Sequence, residues 1–258
     1  MNTVIHPAAQ HGFSQSADVY QHARPDYPQA IVEWMQHDLA LNAQSQLADL
    51  GSGTGKLIPF LQQVSQKITA IEPISEMLQQ LQHRFPAVAT KQTDSQNLSF
   101  PSEYFDALFC AQSFHWFADS ASLDEIYQVL KPHGILGLIW NQRDTTVLWV
   151  KAIADLLAPL EGDTPRYHTG HWQQVLDNHH EQFALVDQQT FAFEHVGTVE
   201  QVVIQRILST SFIAASSVAD KAIMRQSLEK LIKNQLGLDP TDEIAFPYVT
   251  HAYHYQKT

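Results

Sequence analysis

Asp49, Gly51, Gly53 and Gly55 fall at alternate positions in Leu47-Ala48-Asp49-Leu50-Gly51-Ser52-Gly53-Thr54-Gly55-Lys56, and Glu72 stands 21 residues after Gly51. Glycines in such a loop let a ligand lie against bare backbone and meet the unpaired N–H groups of a helix start. A Walker A loop would need glycine at 50 and Ser or Thr at 57, where the chain has Leu50 and Leu57. A dinucleotide fingerprint would need its third glycine at 56, where Lys56 stands. An acidic Asp49 beside the loop opposes a pyrophosphate and suits a ligand carrying an ammonium and a sulfonium. Glu72, at the end of the next strand, can accept both hydroxyls of a ribose; the alternative is a solvated strand-end charge.

A second constellation is Gln112-Ser113-Phe114-His115-Trp116-Phe117, which follows the apolar run 105–111. It leaves a strand at its carboxyl end, where open α/β sheets hold their ligands. Phe114, Trp116 and Phe117 could wall off a sulfonium, whose charge is attracted to ring faces. His115 is then the best candidate general base, should the acceptor be a hydroxyl or amine that must lose a proton. Packing rings with a capping histidine are the alternative. Arg143, after the fifth strand, and Arg206, in the C-terminal half, could meet a substrate acid or be structural.

The elements that position these residues alternate. Short β-rich runs at 46–50, 68–71, 88–93, 105–111 and 135–140 read as strands. Between them Leu57, Ile58, Leu61 and Val64, then Met77, Leu78, Leu81 and Phe85, then Leu123, Ile126, Tyr127 and Leu130 recur at helical spacing. That pattern predicts a parallel sheet covered by helices. Upstream, Ile31, Trp34, Met35 and Leu39 mark a helix that Pro28 can start. Beyond Trp140 the alternation stops, with helical pieces at 147–157, 199–208 and 219–236 and strand-like pieces at 183–193 and 248–255. Residues 1–144 are expected to form a cofactor-binding core with an N-terminal lid segment. Residues 145–258 should complete the sheet and add a helical substrate cap, all as one structural domain.

Asp49-x-Gly51-x-Gly53-x-Gly55 with Glu72 resembles motifs I and II of class I S-adenosylmethionine (SAM)-dependent methyltransferases. Residues 93–100 (TDSQNLSF) and 129–134 (VLKPHG) are similar to the family's segments at the third strand and before the fifth. His133 stands where the family has glycine, so that turn either accepts a positive φ at histidine or changes type. Residues 17–28, 111–117 and 140–144 look like the type 11 branch that contains trans-aconitate methyltransferase-like proteins. The resemblance implies a Rossmann-like, seven-stranded, mostly parallel sheet flanked by helices, SAM as cofactor with S-adenosylhomocysteine as product, and a small-molecule acceptor, a carboxylate or a hydroxyl. It implies that Gly51, Ser52, Gly53 and Gly55 contact the methionine part near Asp49, and that Glu72 contacts the ribose. Asp94 and the Ser95 N–H would take the adenine edge, and Gln112 the cofactor. Tyr20 and Arg24 would fold over SAM, with Arg24 on a carboxylate of SAM or of the substrate. His115 is the catalytic candidate; Trp116, Arg143 and Arg206 are substrate candidates. A non-catalytic SAM-binding sensor or partner subunit and a nicotinamide-dependent oxidoreductase are the rival readings.

Composition narrows the field further. The 258 residues carry 15 Lys and Arg against 27 Asp and Glu, a net charge of −12 with scattered cations, which opposes nucleic acid and anionic lipid as partners. No run approaches the roughly 18 apolar residues of a membrane span, and the first ten residues lack a signal-peptide pattern, so a cytoplasmic monomer or homodimer is expected. The single cysteine, Cys110, excludes an internal disulfide and a cysteine-based zinc site. The pairs His168/His171 and His251/His254 have helical spacing but no evident third ligand, so no metal is expected.

Overall fold

The computed structural model describes residues 24–258, so Tyr20 and most of the expected lid segment lie outside the described residues. Seven strands form one sheet in the order β3-β2-β1-β4-β5-β7-β6. They are β1 (Leu47–Leu50), β2 (Ile68–Ile71), β3 (Ala89–Lys91), β4 (Phe105–Ala111), β5 (Leu130–Arg143), β6 (Phe183–Thr198) and β7 (Glu243–Lys257). The first five are parallel neighbours, and β7 enters antiparallel between β5 and β6. The order reverses at β1, which pairs with β2 on one side and β4 on the other. Loops leaving the carboxyl ends of β1 and β4 therefore diverge and leave a crevice for ligands.

Helices cover both faces. On one side, α4 (Ser120–Val129) and α6 (His171–Asp177) set Leu123, Ile126, Trp172 and Leu176 against Leu108, Leu136, Leu138 and Trp140. On the other, α1 (Ala30–Glu33) and α2 (Ile58–Leu61) bring Ile31, Ile58 and Leu61 to Ile68, Phe109, Ile135 and Ile139. Residues 135–140 of β5 thus alternate strictly between faces, as a doubly covered strand must. Gly137 sits on the second face, where a Cβ would lie 2.4 Å from the Phe109 ring. Phe109 is itself fully buried and packs edge-on to Trp34. Gly137→Ala should therefore destabilise the protein by about 1–3 kcal/mol, seen as a lower urea midpoint with unchanged m-value. A third apolar cluster joins α5 (Leu148–Leu157), the π-helical turn Glu200–Gln205 and α9 (Val218–Leu236) to Phe246 and Tyr248 of β7. Between that turn and α9 lie α7 (Arg206–Leu208) and α8 (Ser211–Ala214). Among the described residues the remaining α-helix, α3 (Ser75–Arg84), follows β2.

Several elements differ from the expected ones. The helix expected after Pro28 is α-helical only over Ala30–Glu33 and continues as a π-helical turn, Trp34–Asp38, closed by the Leu39 N–H on the Trp34 carbonyl. The segment expected over 57–64 is α-helical only at Ile58–Leu61, with Pro59 in its first turn. The fifth strand begins at Leu130, and residues 131–134 bulge out between the pairs Phe105/Leu130 and Ala107/Ile135. His133 accepts a φ of 60° there, so the turn keeps the glycine conformation without the glycine. His251 and His254 lie on β7, where residues three apart face opposite sides of the sheet and do not share a face as they would on a helix. Among the described residues no helix is long and apolar enough to cross a membrane.

Candidate functional site

The glycine loop follows β1 at the point where the strand order reverses. Gly51, Gly53 and Gly55 all have positive φ, 71°, 54° and 83°. The three glycines answer two different needs. A Cβ on Gly51 would lie 2.6 Å from the Ser113 Cβ, and one on Gly55 2.9 Å from the Phe85 ring, so both allow close packing of protein on protein. Among the described residues a Cβ on Gly53 would meet nothing nearer than Met77, at 3.9 Å, so its bareness faces space open on their side. The loop is pinned by the Gly51 and Ser52 N–H groups on the Ile71 carbonyl and by the Gly53 N–H on Glu72 Oε2, at 2.8 Å. Beneath it, the Ser113 hydroxyl donates to the Leu50 carbonyl at 2.7 Å and ties the loop after β4 to that after β1.

Asp49 and Glu72 are both buried at the ends of β1 and β2. Both Asp49 carboxylate oxygens lack a hydrogen-bond partner among the described residues. Burial, and then the charge of Glu72, raise its pKa to about 8. Burial raises Glu72 to about 7, although the Ile74 and Gly53 N–H groups oppose the shift. A buried anionic pair without a cation is costly, and a cationic ligand above the loop would relieve it. The folded state holds the Asp49 proton up to about pH 8 whereas an unfolded aspartate loses it near 4. Its contribution to stability is complete below the unfolded value and is lost as pH rises through the folded one. Asp49→Asn should therefore raise the melting temperature by several degrees at pH 8 and much less at pH 5, by scanning calorimetry.

Asp94 Oδ1 accepts the Gln96 N–H and the Asn97 amide, and the Ser95 hydroxyl bonds that of Ser122, so both sit in a loop held against α4. Gln112 holds a φ of 60°, with its N–H on the Ile139 carbonyl and its side-chain amide on that of Asn141. This places it at the join between the glycine loop and a second space.

That space is a cavity of about 710 Å³, its open mouth included, bordered by Gln112, His115, Trp116 and four arginines, Arg24, Arg143, Arg166 and Arg206. The structure therefore brings together Arg24, His115, Trp116, Arg143 and Arg206 from distant parts of the sequence. Among the described residues Glu161 is the only carboxylate on the lining, and it pairs with His168 at 3.0 Å. Burial and the charges of Arg206 and Arg143 push the Arg166 pKa down to about 10 against the pull of Glu161. Burial, then Arg206, lowers Arg143 as well. Among the described residues, Arg166 Nε, Arg206 Nε and the Tyr248 hydroxyl, buried around the cavity, find no hydrogen-bond partner. Crowded cations and orphaned donors are the chemistry of an anion site. Arg24 borders this cavity, its guanidinium donating to the Ser209 carbonyl at 2.8 Å. His115 accepts the Trp140 indole N–H on Nδ1 at 3.1 Å. Burial first, then Arg166, Arg24 and His168, depress its pKa to about 3. A ring held neutral can exchange hydrogen bonds with an oxygen in the cavity, which bears on positioning an acceptor as well as on the expected role as a base.

Sequence reasoning overlooked Arg166, Glu161, Tyr248 and Lys56. Lys56 served only to exclude a fingerprint, yet its ammonium bonds the Asp26 carboxylate and the Arg24 carbonyl, while the Asn141 amide donates to the Asp26 carbonyl. Together they hold residues 24–26 between glycine loop and cavity. A lysine directly after a glycine loop that lacks the Walker A pattern was the signal available.

A family model described as a methyltransferase domain matches residues 48–138. The chain is 33% identical over 239 residues to an uncharacterized methyltransferase-like protein of Schizosaccharomyces pombe, covering 92% of each. It is 28% identical over 238 residues to an uncharacterized methyltransferase of Mycobacterium tuberculosis, again covering 92% of each. A solved structure from Anaeromyxobacter dehalogenans, provisionally assigned as a type II methyltransferase, superposes with a TM-score of 0.67 at 18% identity, over 90% of this chain and 96% of that one. The [4+2]-cyclase SpnF superposes with a TM-score of 0.53 at 17% identity, over 91% and 84%. At such identities the likeness shows a common fold.

Proposed function

The chain belongs to the class I SAM-dependent methyltransferases, and on that footing we propose that it methylates a carboxylate oxygen of a small-molecule acid. SAM, when bound, supplies an electrophilic methyl on a sulfonium. The loop Gly51–Gly55, with Ser52, receives the methionine part, its ammonium and sulfonium answering the orphaned Asp49 carboxylate. Glu72 accepts the ribose hydroxyls with the lone pairs that the two backbone N–H groups leave free. Asp94 and Ser95 border the adenine, and Gln112 lies where cofactor and acceptor spaces meet.

The observation that carries the acid over the alcohol is the arginine cavity. Arg143, Arg166 and Arg206 repel one another, and a carboxylate satisfies them where a neutral hydroxyl would not. An ionised carboxylate already has a lone pair for in-line attack, so the site has to align and dehydrate the reactants and needs no base. Residues 145–258 then act as the roof of the acceptor site as well as the far edge of the sheet.

The test is a screen of small acids, alcohols and amines for S-adenosylhomocysteine release, with mass spectrometry of the products. Acids should turn over and yield methyl esters that mild alkali hydrolyses. An alkali-stable ether or methylamine as the main product would refute the carboxylate acceptor.

A further inference from the structure

We infer that Trp140 locks His115 in its Nε2–H form, making His115 a permanently neutral hydrogen-bond donor to the acceptor's anionic oxygen. This rests on the acid-acceptor reading for the identity of that oxygen, but not for the state of the ring. The indole N–H can only donate, and it donates to His115 Nδ1. That nitrogen must therefore present its lone pair, and a neutral ring then carries its hydrogen on Nε2. Protonating Nδ1 would set two N–H groups against each other and leave the indole donor unpaired in the core.

The indole cannot turn away to permit this. Trp140 is fully buried at the end of β5, with the Trp172 ring 4.4 Å away on α6, Tyr167 at 5.2 Å and Tyr253 of β7 edge-on at 5.9 Å. The other groups that face His115 act in the same direction. Arg166 and His168, from the strap before α6, and Arg24, from the segment before α1, all oppose a positive imidazole, and Trp116 packs against its ring. A bound anion would offset those charges but would leave the indole contact as it is. With Nδ1 occupied, Nε2–H is the polar group that His115 can offer to the cavity it borders. A neutral donor among arginines recognises an ionised acid and removes no proton from it. Trp140, its indole N–H spent on His115, acts through that ring as a positioning residue.

The decisive measurement is a two-bond ¹⁵N–¹H correlation spectrum of the histidine rings in the full chain, with His115→Gln used for assignment. His115 should show the Nε2–H pattern, unchanged from about pH 5 to pH 8. Trp140→Phe should give averaged tautomers, which a loss of packing alone would not produce. In steady-state kinetics on an acid accepted in the screen, His115→Ala should raise acceptor KM by about 10- to 100-fold with kcat within about threefold. His115→Gln, which keeps an N–H donor, should recover most of that loss. Titration of wild-type His115 within the pH range, an unchanged KM in His115→Ala, or equal kcat collapse in both His115 variants would overturn the inference. The spectrum needs no acceptor, so a failure of the acid reading alone would appear in the product screen and leave the tautomer result standing.

Discussion

Gly53→Ala should fold and melt close to the parent protein yet bind SAM at least about 30-fold more weakly by calorimetry. A left-handed φ costs an alanine about 1–2 kcal/mol, and among the described residues the new methyl finds only the Met77 side chain, at 3.9 Å. The fold therefore bears a modest strain. The ligand bears more, because the methyl stands where the methionine part would approach bare backbone, and about 2 kcal/mol of lost contact is about 30-fold in affinity. Gly51→Ala is the informative contrast. Its Cβ would lie 2.6 Å from the Ser113 Cβ, so that variant should lose stability first and binding as a consequence. Unchanged SAM affinity in a well-folded Gly53→Ala protein would assign the open side of the loop to something other than the cofactor.

Arg166→Ala should raise acceptor KM by about 100-fold while leaving SAM affinity and kcat nearly untouched. Removing one partner of a buried charge-assisted contact costs about 2–5 kcal/mol, and a loss confined to ground-state recognition appears in KM. The same change should leave thermal stability level or slightly improved. Arg166 gives up a contact with the Phe212 ring at 4.7 Å, a 3.3 Å hydrogen bond to the Ser211 hydroxyl and the attraction of Glu161. In exchange it relieves repulsion with Arg143 and Arg206. Arg166→Lys should restore only part of the affinity, because an ammonium keeps the charge without the planar fork. A large loss of stability with unchanged KM would make the cluster architectural and remove the main support for an acid acceptor.

The two sites differ in how far the sequence announces them. Asp49, the three loop glycines and Glu72 occupy one strand-turn-helix unit and the end of the next strand. Their roles follow from short-range geometry, which spacing encodes directly. The strand pattern was legible for the same reason: apolar runs of four to seven residues bounded by turn signals leave few alternatives once helices alternate with them. The irregular helices were not. The π-turn at Trp34–Asp38 and the stub at Ile58–Leu61 depend on how helices seat against the sheet, and helical periodicity does not report that.

The sequence by itself determined the sheet class, the glycine loop and the acidic partners beneath it, because each of these is a local choice with a distinctive residue type. Only the tertiary structure decided that Arg24, Arg143, Arg166 and Arg206 share one cavity, and that His115 receives the indole of a residue 25 positions away. Those arginines sit before α1, at the end of β5, before α6 and in α7, four segments with no common period or spacing. Only the antiparallel entry of β7 and the packing of the second-half helices over the β4 and β5 ends bring them together, and long-range burial of apolar surface, which leaves no local pattern, drives that packing.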